Sequence, residues 1–236
     1  GLPRAKRELF DTGIHVPMLL YRPSQTTATE DSQLISFVDL APTLYALAGG
    51  TAPPSYWHGR DFLQPNSPNR SYIYASRDRI DEVNDRQRAV RTARFKYIRS
   101  YRPEVPGGHA LAYRDNLDMM RAWRAAYRTN QLPPVQAAWF EQPGQEQLYD
   151  LRHDPHEVTN LAADPGYADV LGQLSQQLDD FLSRVGDTSE LTEHSLREQF
   201  LDNGALPKTP PPTVNWQDGK ARLSSPIGAS IGYRLE

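Results

Sequence analysis

The chain is 236 residues long, 38% hydrophobic and free of cysteine, which excludes disulfides, thiolate metal sites and a cysteine nucleophile within it. Its net charge of −3 offers no general attraction to nucleic acid or anionic membrane, and no apolar run approaches the length of a membrane span. Arginine is used far more than lysine, a bias toward the planar fork that suits carboxylate, sulfate and phosphate groups.

In chain order, Val16-Pro17-Met18-Leu19-Leu20-Tyr21 is a continuous apolar run closed by Pro23. That pattern predicts a strand buried on both faces of a parallel α/β sheet. Leu34 to Val38 is a second short apolar stretch. Asp39 can cap the helix that follows, with Pro42 in the first turn, where its missing N–H has no intrahelical partner. Leu40, Leu44 and Leu47 share one face of this helix, and Gly49-Gly50 end it.

From Arg70 the pattern changes to strands. Ser71 to Ala75 is one, and a hairpin around Thr92-Ala93 joins Ala89-Val90-Arg91 to Phe95 through Tyr101. In the second arm Phe95, Tyr97, Arg99 and Tyr101 share one face, and Arg94, Lys96, Ile98 and Ser100 the other. Leu117 to Tyr127 reads as a helix carrying Leu117, Met120, Trp123 and Tyr127, and Gln147 to Leu151 as a further strand. Asp164-Pro165 caps the clearest helix, along which Tyr167, Val170, Leu171, Leu174, Leu178, Phe181 and Leu182 form a stripe suited to covering a sheet. After Gly186 the chain turns polar, runs through the stiff Lys208-to-Thr213 proline segment, and resumes alternation at Ala221 to Ser225.

Five segments carry a resemblance, in order. They are Lys6-Arg7-Glu8-Leu9-Phe10-Asp11-Thr12-Gly13-Ile14-His15-Val16-Pro17, then Phe37 to Leu44 with its Asp-x-x-Pro-Thr helix start, then Gly59-Arg60-Asp61-Phe62-Leu63. The hairpin Val90 to Ile98 is the fourth, and Leu148-Tyr149-Asp150-Leu151-Arg152-His153-Asp154-Pro155-His156-Glu157-Val158-Thr159-Asn160-Leu161 the fifth. Together they resemble the C-terminal portion of the sulfatases of the alkaline-phosphatase-like superfamily. Arg77 to Glu82, Arg99 to Pro103 and the Trp123 and Trp139-Phe140 regions look most like the heparan N-sulfatase (sulfamidase)-like branch.

The resemblance implies an α/β fold: the end of a large mixed sheet, a small antiparallel sheet covered by a C-terminal helix, and the start of a β-module. The implied boundaries are 1–69 for the end of the catalytic domain, 70–185 for the C-terminal subdomain, and 186–236 for a linker and truncated fibronectin-like module. It implies an exported hydrolase of sulfate esters or sulfamates acting on sulfated glycans such as heparan-like glucosamine sulfates. Formylglycine and Ca²⁺ would do the bond breaking, both upstream of this chain, which alone is expected to be inactive. Two other readings remain open: a phosphodiesterase or phosphonate hydrolase of the same superfamily, and a non-catalytic glycan-binding module.

Lys6 matches the family's active-site lysine. By residue type it reads as a solvated lysine in the basic run Arg4-Ala5-Lys6-Arg7. The resemblance, supported by its register with Pro17, implies instead a cation for the charge that grows on a sulfate as the bond breaks. His15 is read as a packed or hydrogen-bonded residue behind the site. Arg77, Asp78, Arg79, Asp81 and Glu82 form a dense charged loop, read either as a solvated turn of weak salt bridges or as a substrate-binding loop whose arginines fork anionic sugars. His153 and His156 flank Asp154-Pro155, where a turn replaces the helix that a metal-binding pair would need. Trp123, Tyr127, Trp139 and Phe140 are read as core before sugar platforms.

Overall fold

The structure, a computed structural model, describes residues 4–23, 27–65, 68–201, 204–206, 208–225, 231, 232 and 234. Part of the 186–236 region expected to hold the β-module, including residues 226–230 and 233, lies outside the described residues. The regular elements in the first part of the chain are α1 (Asp11–Ile14), α2 (Leu40–Leu47), β1 (Ile73–Ile80), β2 (Val83–Arg91) and β3 (Phe95–Ser100). After them come α3 (Ala112–Asp115), α4 (Asp118–Arg128), α5 (Pro134–Ala137), β4 (Glu146–Asp150), α6 (Ala168–Val185), α7 (Glu193–Phe200), β5 (Thr213–Gln217) and β6 (Lys220–Ser224). Residues 1–186 form one compact unit and 187–236 another.

The first unit is built on an antiparallel sheet in the order β1-β2-β3-β4. Its register lines up Tyr74, Val90, Tyr97 and Leu148 as one row across all four strands. Strand alternation sends that row to a single face, where α6 covers it with Leu174 and Leu178. Phe181 stacks flat on Tyr74 at 3.8 Å between centroids, and Arg99 reaches Ser175 Oγ at 2.8 Å. The ends of α6 follow its sequence: Asp164 Oδ1 accepts from Gly166 N at 2.8 Å at the entry, and Gly186 closes it in the left-handed conformation.

The opposite face carries Ala89 and Ile98 from neighbouring strands, and Leu9 packs on them together with Tyr149. A segment that precedes the sheet by more than sixty residues in the sequence therefore lies across it. Residues 101–141, between β3 and β4, make a small core of their own. Trp123 stacks on Trp139 at 4.9 Å, Tyr127 on Phe140 at 4.6 Å, and Met120 is buried beside them. These rings pack on one another, as the helical stripe predicts.

Two sequence expectations change. Val16 to Tyr21 forms no strand and is exposed, because an apolar run becomes a strand only when a ladder partner is present, and among the described residues it has none. The strand expected over Ser71–Ala75 starts later and runs to Ile80, because the ladder with β2 continues past Ala75 and Arg77 finds buried carboxylates. In the second unit, α7 is capped by Thr192, whose Oγ1 accepts from Ser195 N at 3.1 Å. There β5 and β6 pair through Asp218-Gly219, both at positive φ as a two-residue hairpin turn requires.

Gly59 tests the packing directly. A Cβ there would stand 1.8 Å from Val38 O, so Gly59→Ala is expected to cost about 1–3 kcal/mol. Gly172 lies within α6 with open space around it, so Gly172→Ala is expected to gain about 0.5–1 kcal/mol. Denaturant midpoints of the two variants should move in opposite directions.

Candidate functional site

The segment from Arg4 to His15, which contains Lys6, is fixed to the sheet by two buried charge clusters. The first centres on Lys96, whose side chain is 0% exposed. Its Nζ lies 2.6 Å from Asp11 Oδ1 and 2.7 Å from Glu157 Oε1. Arg91 adds a two-pronged contact to Asp11 at 2.9 and 3.0 Å, and the Asp11 backbone N–H donates to Glu157 Oε2 at 2.6 Å. Burial would raise the Asp11 carboxyl, but the Arg91 hydrogen bonds and the nearby Lys96 charge outweigh it and hold the group down at about 2.

The second cluster is Glu8, Arg77 and Asp85, with side chains 5%, 3% and 0% exposed. Arg77 hydrogen-bonds Glu8 and pairs with Asp85 at 2.8 Å. Burial pushes both carboxyls up, against the pull of Arg77. Between the clusters, Leu9 and Phe10 supply the apolar contact. Gly13 permits the close fold of the segment on itself, since a Cβ there would meet Glu8 O at 2.3 Å. Arg4 ties the start of the segment to the Glu157 turn, donating to His156 O at 2.9 Å and Glu157 O at 2.8 Å.

The residues expected to act at the site separate into two groups. Lys6 and Arg7 are exposed and both sit at positive φ. Arg79, Asp81 and Glu82 gather at the β1–β2 hairpin tip. There Arg79 Nε donates to Asp81 O at 2.8 Å, Arg7 pairs with Asp81, and Glu82 accepts from Ala112 N at 2.7 Å. That last hydrogen bond lowers the Glu82 carboxyl. A bulge between Arg77 and Arg79 leaves Asp78 half-exposed, paired with Arg88 at 2.8 Å. Arg77 stands apart: its guanidinium points into the interface between sheet and segment, engaged by carboxylates, and not outward as a loop arginine would. His15 is largely exposed, its Nδ1 3.7 Å from Asp11 Oδ2.

Neither cluster shows in the sequence: not Lys96 with Asp11 and Glu157, nor Arg77 with Glu8 and Asp85. One signal was available, because Lys96 falls on the inward face with Ile98 in a strand whose alternation is otherwise clear. The remaining motif letters also turn out to be ties. Asp39 Oδ1 accepts from Arg60 N at 3.0 Å, and Thr43 Oγ1 from Phe62 N at 3.2 Å, so the helix start holds the Gly59-to-Leu63 turn. Arg94 forks Asp150 at 2.7 and 3.1 Å, and Asn160 Oδ1 accepts from Leu148 N at 2.9 Å. His153 joins the same knot through Asp150 at 2.8 Å.

No group of three or more His, Asp or Glu side chains suited to a metal occurs among the described residues, and the buried carboxylates near Lys6 are committed to Arg and Lys. The sequence also holds no Ser-x-Pro-x-Arg. A calcium ion and a formylglycine therefore do not fit on these residues, and no step is assigned to either here.

No family model matches the sequence. The chain is 40% identical over 239 residues to an ulvan-active sulfatase of Formosa agariphila, covering 99% of this chain and 40% of that protein. N-acetylglucosamine-6-sulfatase of Capra hircus is 27% identical over 75% of the chain and 31% of its own length. Arylsulfatase K of Bos taurus is 22% identical over 83% of the chain and 30% of its own. A solved 2-O GAG sulfatase aligns at 24% identity over 65% of the chain and 26% of its own, with a TM-score of 0.44. The three sequence relatives are sulfatases, and all extend well beyond the region matched; the chain spans 40% or less of each. Over the region it spans, the chain is similar in sequence to sulfatases, at 40% identity across 99% of its length in the ulvan-active relative.

The Asp11 cluster predicts a signed pH dependence. A carboxyl held at about 2, against an ordinary 3.8, stabilises the fold above pH 4, and that contribution disappears as pH falls toward 2. The stability difference between the natural chain and Asp11→Asn should therefore be full at neutral pH and shrink across that window. A difference that stays constant from pH 6 to pH 2 would refute the assignment.

Proposed function

We propose that this chain is part of a sulfatase acting on sulfated polysaccharides, with Lys6 as a catalytic cation and the β1–β2 hairpin tip facing the substrate. The observation that carries this reading is the contrast within the Arg4–His15 segment. Glu8, Leu9 and Asp11 are locked onto the sheet, while Lys6 is left exposed on the same short stretch. A cation fixed in place by its neighbours needs little reorganisation when negative charge develops beside it. The ammonium would stabilise the sulfate oxygens and the departing oxygen or nitrogen as the bond to sulfur breaks. Formylglycine as nucleophile and calcium as counter-charge to the sulfate would have to be supplied by residues of the whole protein other than these.

Asp78, Arg79, Asp81 and Glu82 would form the rim that selects the sugar, with Arg77 holding the Lys6 segment and His15 exposed at the end of that segment. The relatives named for ulvan and for N-acetylglucosamine-6-sulfate support a sulfated glycan, and the heparan-like glucosamine sulfates are one candidate among these. Such polymers lie outside the cytoplasm, which supports an exported protein. The names of the relatives favour this reading over a phosphodiesterase, a phosphonate hydrolase or a module that only binds glycan.

In the full-length protein, Lys6→Ala is expected to lower kcat for sulfate release by about a hundredfold, with Lys6→Arg retaining most of the rate. Ion chromatography of released sulfate on ulvan and heparan fragments is the measurement. Near-normal kcat in Lys6→Ala would remove Lys6 from the chemistry, and phosphate release without sulfate release would favour the phosphohydrolase reading.

A further inference from the structure

Three pieces of chain far apart in sequence meet at the hairpin tip: Lys6-Arg7, Arg79 to Glu82, and Ala112-Tyr113. Arg7 pairs with Asp81, Glu82 accepts from Ala112 N at 2.7 Å, and the Arg7 guanidinium sits 5.6 Å from the Tyr113 ring centroid. The short helix α3 that carries Tyr113 is anchored on both sides of that residue. Leu111 before it is 2% exposed, and Arg114 after it lies 4.6 Å from the Trp139 ring. Tyr113 itself is 74% exposed. A large aromatic ring held outward on a fixed helical turn contributes little to the core, and a tyrosine in that position offers contact area with few torsions to freeze.

We infer that Tyr113 and Arg7 form a saccharide subsite next to Lys6, which takes a sugar ring bearing a carboxylate or sulfate. The ring face of Tyr113 suits the apolar C–H face of a pyranose. Arg7 has five N–H donors, and Asp81 is its hydrogen-bond partner among the described residues, so donors are left to fork an anionic substituent. The exposed Lys6 ammonium adds a second positive charge one residue away. Neither Tyr113 nor Arg7 belongs to the charged loop first singled out in the sequence; only the fold brings them to it. The choice of ligand rests on the glycan-sulfatase reading, but binding does not require turnover, so the two stand or fall separately.

The test is titration calorimetry of the full-length protein with ulvan-derived and heparin-derived tetrasaccharides, their desulfated forms, and cellotetraose. At least one anionic tetrasaccharide should bind, and cellotetraose should bind far more weakly. Tyr113→Ala and Arg7→Ala should each weaken binding by about tenfold, and Tyr113→Trp should restore it. The melting temperature of Tyr113→Ala should match that of the natural protein, since the ring is exposed. Unchanged affinity in Tyr113→Ala, equal affinity for cellotetraose, or no binding of either anionic tetrasaccharide would overturn the subsite. Tyr113-dependent binding without sulfate release from any glycan would leave the subsite standing and remove the sulfatase reading.

Discussion

One buried ammonium organises the first unit. Lys96 is fully enclosed, and an enclosed charge is tolerable only with close partners of opposite sign. Asp11 and Glu157 meet that demand from opposite ends of the unit. Removing either carboxylate would leave the lysine half-partnered, and removing the lysine would leave the buried Glu157 carboxylate without its cation while Asp11 kept Arg91, a loss of up to about 3–5 kcal/mol by the usual measure of broken buried pairs. Intact, buried charge clusters often add no more net stability than an apolar equivalent. What this one adds is register: a hydrophobic contact would tolerate sliding, but a carboxylate forked by Arg91 and touched by Lys96 has one position only. The exposed Lys6 inherits its place from that constraint, through the shared short segment.

Much of the fold could be read from the sequence, for reasons tied to particular residues. Alternation in Phe95 to Tyr101 assigned both faces of β3, and the stripe from Tyr167 to Leu182 identified the helix that covers one of them. These patterns are local, because period two and period 3.6 are properties of adjacent residues. The exposed run at Val16 to Tyr21 was misread for the same reason. Composition reports that a segment suits a sheet interior, but only a partner strand makes it one.

The site was less legible. Arg77 looked like a loop arginine because its partner Glu8 lies 69 positions away, beyond the reach of any local pattern. Sequence separation also hid the Tyr113 segment from the hairpin tip, since Ala112 N and its Glu82 acceptor are 30 positions apart. The motif letters fared better as markers than as explanations. Asp39, Thr43 and Gly59 were recognisable as a signature, but their work is to bind a helix start to a turn at a spacing that leaves no room for a side chain on Gly59. Arg94, Asp150 and Asn160 do the equivalent work at the far edge of the sheet.

The span of the Lys96 cluster sets an order of assembly. The Asp11 N–H and its Glu157 acceptor are separated by 146 residues. The Arg4–His15 segment can therefore settle only after the four-stranded sheet and the turn beyond it exist. At ordinary rates of protein synthesis that interval is roughly 7–30 s. For that time Leu9 and Phe10 are apolar side chains waiting for a surface, in the earliest-made part of this stretch of chain. The residues nearest the proposed chemistry are thus made well before the sheet that fixes them.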